Sequence, residues 1–349
     1  DHVEQNAGVT LMDTLLSIRG WVEEGGVILT DDQIRFILEE EPERVCGFGG
    51  EFAIEYGAYR LRDSLGVVTG NAPPGTFQKN GETICRIVPD PIAMPLEDAI
   101  REAVSLRTSE KSVVALSGGV DSSLIAALAD RPCLAVGLSG SHDLNRAEEV
   151  AAAIGCDLIT GEIDPSRVEP VLRQILSLLP SINPVDASIA ATGFFLCEAA
   201  ADYGYDRIIS GQGADELFCG YTRYLESSDL KADRTADIAD LPRQLARDQA
   251  VSGLFSVWIS LPYLDTRVVR AADRIPVGEM ISSGKRKFPL RSVASAYLPQ
   301  DIAWYEKKAM QYGSGVWKVI RDHARERGFK RAVQGYMKYI QDGRAEHGI

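Results

Sequence analysis

From Ser112 the chain alternates short apolar runs with stretches of helical period. Apolar runs at 112–116, 133–138, 156–163 and 206–210 predict buried strands. Between them, 121–129, 145–154, 166–179 and 187–204 carry apolar residues at helical spacing, the last ending at Gly204. Strands alternating with helices predict a parallel sheet covered on both faces, an α/β fold. Before this region, 49–70 shows β-prone runs broken by Gly and Asp-Ser, and the Pro-Pro-Gly of 71–77 predicts a turn, so residues 1 to about 90 read as β-rich. The Pro-rich stretch 88–95 is the expected boundary, dividing the chain into 1–95 and 96–349. Residues from about 230 onward read as mostly helical, with an amphipathic basic tail at 318–340 whose charged face is expected to be solvated.

Composition narrows the function classes. At 45% hydrophobic and 25% charged residues, a sizeable buried core is expected. No run of about eighteen apolar residues is present, so no membrane partner is expected. The first residues, Asp1 to Glu4, form neither a basic nor an apolar leader segment. The six cysteines, Cys46, Cys85, Cys133, Cys156, Cys197 and Cys219, form no Cys-x-x-Cys pair. They read as small core residues in a reducing, cytoplasmic compartment, and with only four histidines a zinc site is not expected. The net charge of -13 opposes general attraction to nucleic acid.

The sharpest chemical signal is the run Val113–Leu128, where a strand ends in Ser117, Gly118 and Gly119 and a helix begins. Glycine lets a backbone approach an anion that a Cβ would hold off. Helix-start N–H groups and the helix dipole favour a phosphate, and Ser122 and Ser123 add hydroxyls in the first turn. The Gly-Lys-Ser/Thr ending of a Walker loop is absent. A carboxylate in such a cradle repels phosphate unless a cation intervenes, so Asp121 is a candidate Mg²⁺ ligand. These residues resemble the Ser-Gly-Gly-x-Asp-Ser-Ser motif of the PP-loop, or N-type, ATP pyrophosphatases. The resemblance implies a PP-loop fold (adenine nucleotide alpha-hydrolase-like) and cleavage of ATP between its α and β phosphates, giving an adenylate.

A second strand-turn-helix segment spans 206–224, with Gly211 and Gly213 in the turn and Asp215 and Glu216 in the first helical turn. It looks like the corresponding motif of asparagine synthetases and β-lactam synthetases. By that resemblance Asp121 and Asp215 share the magnesium of MgATP, and Leu116, Ser117, Gly118, Gly119, Ser122, Ser123, Gly211 and Gly213 contact the nucleotide. The segment 134–155 matches the adenine-side segment, which assigns Gly137 and Leu138 to the nucleotide. Further blocks follow in the family's order: 184–200, 260–265, 287–291 and 298–316. They imply that Lys287 holds the leaving pyrophosphate and that Lys307 meets the charge developing at the α-phosphate, a role for pre-placed cations. At 260–265 the family's Arg is Leu261 here.

One departure concerns the acceptor. Asparagine synthetases place Glu, and β-lactam synthetases Tyr, where this chain has Gln212. An amide forms hydrogen bonds but takes up no proton near neutral pH. Another group then takes the proton, or the amine arrives neutral, or Gln212 reads a different acceptor. The acid, aspartate in the family, stays open, as does a homodimer. Residues 47–57, 60–66 and 71–77 resemble parts of the glutaminase domain of class B asparagine synthetases. The nucleophilic cysteine at position one has no counterpart, and Cys46 reads as core. These features imply an AMP-forming amide synthetase with a shortened, glutaminase-dead first domain, taking nitrogen from ammonia, an amine or a separate glutaminase subunit. A tRNA-modifying PP-loop enzyme and a non-catalytic nucleotide-binding homologue are the competing readings.

Overall fold

The computed structural model describes residues 15–179, 181–306, 313–329 and 332–342. The chain divides into two units after Asp90, a little before the expected break.

In the first unit the strands β1 (Leu16–Glu24), β2 (Val27–Ile28), β3 (Gly49–Tyr56), β4 (Tyr59–Arg62), β5 (Thr76–Lys79) and β6 (Glu82–Arg86) form an antiparallel sheet in the order β2-β1-β3-β4-β5-β6. A helix not expected in this β-rich stretch, α1 (Asp31–Glu40), starts at Thr30. The Thr30 side chain and Gln33 cap each other's backbone N–H groups reciprocally. Ile34, Ile37 and Leu38 of α1 join Val22, Phe52, Ile54, Leu61 and Phe77 in one core. The turn after β4 is organised by Asp63, whose buried carboxylate accepts from the backbone N–H groups of Phe52, Leu65, Val67 and Val68.

Cys46 and Cys85 form a disulfide, with Cα atoms 6.2 Å apart. This corrects the expectation of separate reduced core thiols. The β5–β6 hairpin carries Cys85 back to the 3₁₀ turn that holds Cys46, a proximity that a sequence separation of 39 does not reveal. Cys133, Cys156, Cys197 and Cys219 are free.

The second unit opens with α2 (Leu96–Ser105). It then alternates β7 (Ser112–Ala115), α3 (Val120–Ala129), β8 (Cys133–Gly137), α4 (His142–Ile154), β9 (Leu158–Glu162), α5 (Pro165–Ile175), α6 (Pro184–Asp202) and β10 (Arg207–Ile209). Next come α7 (Ala214–Leu217), α8 (Leu230–Ser252), β11 (Trp258–Ser260), α9 (Thr266–Asp273), the hairpin β12 (Ile281–Ser282) with β13 (Lys285–Arg286), α10 (Phe288–Ala294) and α11 (Gln300–Ala303). Strand β11 and the hairpin interrupt a region expected to be mostly helical. The parallel sheet runs β11-β10-β7-β8-β9. Successive residues of a strand face opposite sides. Val114, Ala135 and Ile209 accordingly join the core with α2, α3 and α4, while Val113, Leu134 and Ile208 pack with Cys197 and Ala200 of α6. The sheet is thus buried on both faces, as its continuous apolar strands require. Helices Val316–Glu326 and Val333–Gln341 pack Ile320, Ala324, Tyr336 and Met337 with residues of α5 and α6. Among the described residues no helix is long and apolar enough to cross a membrane.

Strand order reverses direction at β7: β8 and β9 extend to one side, β10 and β11 to the other. Ligands of open α/β sheets bind outside the carboxyl ends of the strands at such a switch. The neighbours β7 and β10 both run into Gly-rich turns there.

Candidate active site

At the end of β7 the backbone must turn sharply into α3. Gly118 takes φ +72°, and a Cβ there would lie 2.4 Å from Cγ of Arg146. Gly119 precedes α3 without any side-chain cap. Both serine hydroxyls of the first turn bond back to the Gly119 carbonyl, Ser122 at 3.1 Å and Ser123 at 2.8 Å, and the Ser117 N–H donates to Ser122 Oγ at 3.2 Å. These hydroxyls brace the turn through its own backbone. Leu116 is buried with α3 in the core.

From β10 the second turn approaches the first. A Cβ on Gly211 would lie 3.0 Å from Asp121 Cβ and 3.1 Å from the Ser122 nitrogen, so any side chain here would crowd the first turn. Gly213 takes φ +89° against Leu264. Tyr263, buried in the turn after β11, donates its hydroxyl to the Asp121 carbonyl at 2.9 Å.

The two turns are joined by one ammonium group. Lys287 Nζ lies 2.6 Å from Asp121 Oδ2 and 2.8 Å from Asp215 Oδ1. Its side chain reaches them from a left-handed backbone (φ +57°) at the start of α10 and is itself buried. Burial alone disfavours the charged amine, but the two carboxylates outweigh it and hold Lys287 above the ordinary lysine value. Asp121 Oδ1 is buried and has no hydrogen-bond partner among the described residues. An orphaned carboxylate oxygen, a second carboxylate sharing one cation, and glycines where a Cβ would intrude fit a site for a phosphate-bound divalent cation. Asp121 and Asp215 are the residues that would hold it.

Two contributors, Gly220 and Arg291, lie outside the residues that the sequence singles out. Gly220 is one: a Cβ there would fall 1.9 Å from Asp215 Oδ1 and 2.0 Å from Lys287 Cε. It lies within the 206–224 segment. Arg291, buried beside Lys287, donates to the carbonyls of Arg286, Ala303 and Tyr305. Glu216 is buried, accepting from Tyr221 Oη at 2.5 Å and Gln244 Nε2 at 3.0 Å, and burial pushes its carboxyl up. Gln212 donates from Nε2 to Asp248 Oδ2 at 2.7 Å, a contact that no motif contains.

Gly137 and Leu138 lie at the end of β8. A Cβ on Gly137 would meet Ser141 Oγ at 2.4 Å, and the Leu138 N–H donates to the Ser314 carbonyl at 2.9 Å. Among the described residues no hydrogen bond joins them to Asp121 or Asp215. Lys307 lies outside the described residues.

A family model described as asparagine synthase matches residues 95–257 and 241–341. The chain is 32% identical over 292 residues to a putative glutamine-hydrolyzing asparagine synthetase of Methanocaldococcus jannaschii, covering 70% of this chain and 54% of that protein. To asparagine synthetase B of Escherichia coli it is 30% identical over 248 residues, covering 63% and 44%. The chain therefore spans about half the length of the curated relatives it matches. Among solved structures, an NMN synthetase from Francisella tularensis aligns at a TM-score of 0.28 and 15% identity, over 68% of this chain and 97% of that one.

Proposed function

The chain belongs to the asparagine synthase family, and from that premise we propose that it is an ATP-dependent, AMP-forming amide synthetase. Its acid substrate binds with MgATP at the switch point beyond β7 and β10. The carboxylate oxygen attacks the α-phosphorus, the bond to the β-phosphate oxygen breaks, and pyrophosphate leaves. The amine nitrogen then attacks the acyl carbon and AMP departs. Holding acid, nucleotide and amine together supplies much of the rate.

In this reading Asp121 and Asp215 hold magnesium, which when bound offsets the charge of the phosphates. Lys287, already beside both carboxylates, shares the charge of the departing pyrophosphate. Gly118, Gly119, Gly211 and Gly213 keep side chains out of the nucleotide's path. Lys307 is assigned to the α-phosphate by resemblance alone. Nitrogen is taken as ammonia or an amine. The two cysteines of the first unit, Cys46 and Cys85, are tied to one another, so neither thiol is free for glutamine hydrolysis.

The observation that carries this reading is the single ammonium of Lys287 held between Asp121 and Asp215. The test is pyrophosphate release from MgATP with ammonium chloride and a panel of small carboxylic acids that includes aspartate. Acid-dependent AMP and pyrophosphate are expected from the wild type and none from Asp121→Ala. Equal turnover by the variant would remove Asp121 from the metal site. Gln212 is the one observation that favours a non-catalytic nucleotide-binding protein. That reading predicts MgATP binding without AMP from any acid in the panel.

A further inference from the structure

We propose that Cys133 and Cys156 form a dithiol site for low-molecular-weight disulfides, which oxidise the pair to a second disulfide that staples the end of α4 to the start of β8. This inference is independent of the synthetase reading.

The two sulfurs lie 3.2 Å apart. A sulfur–sulfur bond is about 2.0 Å long, so a small rotation of the two side chains closes the gap. Backbone hydrogen bonds hold both residues in place. Helix α4 ends at Gly155, whose φ of +70° turns the chain back. The Cys156 N–H then donates to the Ala151 carbonyl at 3.1 Å, and the Cys133 N–H to the Asp157 carbonyl at 2.7 Å. Strand β9 follows at once, with Leu158 opposite Cys133. The pair thus sits where β8 begins, at the end of the sheet remote from Asp121 and Asp215.

The two thiols differ in access. Cys133 is fully buried in the core, whereas Cys156 packs against that core and is half-buried. Cys46 and Cys85 are already bonded, and Cys197 and Cys219 are buried. Among the described residues Cys156 is therefore the free thiol that a solute can reach. Burial pushes the Cys133 thiol up, and the neighbouring Cys156 sulfur acts in the same direction, so Cys133 keeps its proton while the pair is reduced.

The chemistry is two successive exchanges. The Cys156 sulfur attacks one sulfur of the small disulfide, and the first small thiol leaves. Cys133, beside the mixed disulfide, then bonds to the Cys156 sulfur and breaks its bond to the second small thiol. That thiol departs with the Cys133 proton. The protein loses two electrons and two protons, and the small disulfide gains both. Only Cys156 has to meet the oxidant, so the burial of Cys133 does not block the reaction.

The test is incubation of the intact protein with oxidised glutathione, followed by alkylation and a tryptic map without reductant. The expected product joins the peptide ending at Arg146 to the peptide beginning at Ala147, and dithiothreitol separates them. Cys133→Ala should stop with one glutathione on Cys156, and Cys156→Ser should take up none. In the oxidised wild type, amide hydrogen exchange at residues 154–157 should slow at least tenfold. A wild type that retains glutathione on Cys156, that bonds Cys156 to Cys197 or Cys219, or that does not react overturns the inference. Unchanged exchange at 154–157 in the oxidised protein overturns the stapling role. If Cys133→Ala does not fold, the wild-type map and Cys156→Ser decide the matter.

Discussion

At the scale of single residues, the site is shaped by side chains that are absent. Gly211 and Gly220 are not held at positive φ, so alanine meets no backbone strain at either position. What alanine would meet is the site. At Gly220 its methyl would overlap the Asp215 carboxylate and the Lys287 chain, with contacts of 1.9 and 2.0 Å. Gly220→Ala should therefore push Asp215 and Lys287 apart. A displacement of about 1 Å at reacting groups costs on the order of a hundredfold in rate. We expect acid-dependent exchange to fall by about that factor with the circular dichroism spectrum unchanged. Wild-type exchange in this variant would mean that the packing of Asp215 and Lys287 around Gly220 has no catalytic role. Asp121 and Asp215 were legible in the sequence because each sits in a Gly-rich strand exit where a carboxylate needs a reason. Asp248 was not. It meets Gln212 across 36 residues from the charged helix α8, a contact that no local pattern of the sequence marks.

At the scale of elements, strands β7 to β10 were readable because each apolar run stands between helical stretches. Strand β11 was not: Trp258–Ser260 has three residues, too few to show a period, inside a region dominated by α8. Yet β11 matters to the site, because the turn after it carries both Tyr263, which binds the Asp121 carbonyl, and Asp265. Asp265 caps α9 and pairs with two buried guanidiniums, Arg107 beyond α2 at 2.8 Å and Arg267 of α9 at 3.0 Å. Burial alone would raise its pKa, but the two arginines outweigh that and hold it below the usual carboxylate value of 3.8. With its folded pKa depressed, the stabilisation is complete above that value and is lost as pH falls through the folded one. Asp265→Asn removes one charged partner from each arginine, Arg267 keeping Glu102 at 2.9 Å, and should cost about 1.5–3 kcal/mol in urea unfolding at neutral pH. The gap between wild type and variant should then close below about pH 4. A gap that stays constant down to acid unfolding would show that Asp265 acts through its helix cap alone.

At the scale of the whole molecule, each unit closes a core of its own. The apolar cluster around Val22, Phe52 and Phe77 lies entirely within the first unit, and the clusters around the parallel sheet lie entirely within the second. The two cores are not equally secure. The second is covered by helices on both faces of its sheet, whereas the first rests on one sheet, one described helix and a disulfide. Small units with limited cores depend on such staples. A crosslink spanning a sequence separation of 39 restricts the unfolded chain by about 4 kcal/mol in the loop-entropy account. Breaking Cys46–Cys85 should consequently act locally. Under dithiothreitol, or in Cys85→Ser, hydrogen exchange should accelerate at β5, β6 and the 3₁₀ turn Pro42–Gly47, while β7, β8 and β10 keep their protection and MgATP affinity stays the same. Exchange that accelerates equally in β7 and β10 would mean that the parallel sheet draws its stability from the first unit, contrary to the separation of their cores.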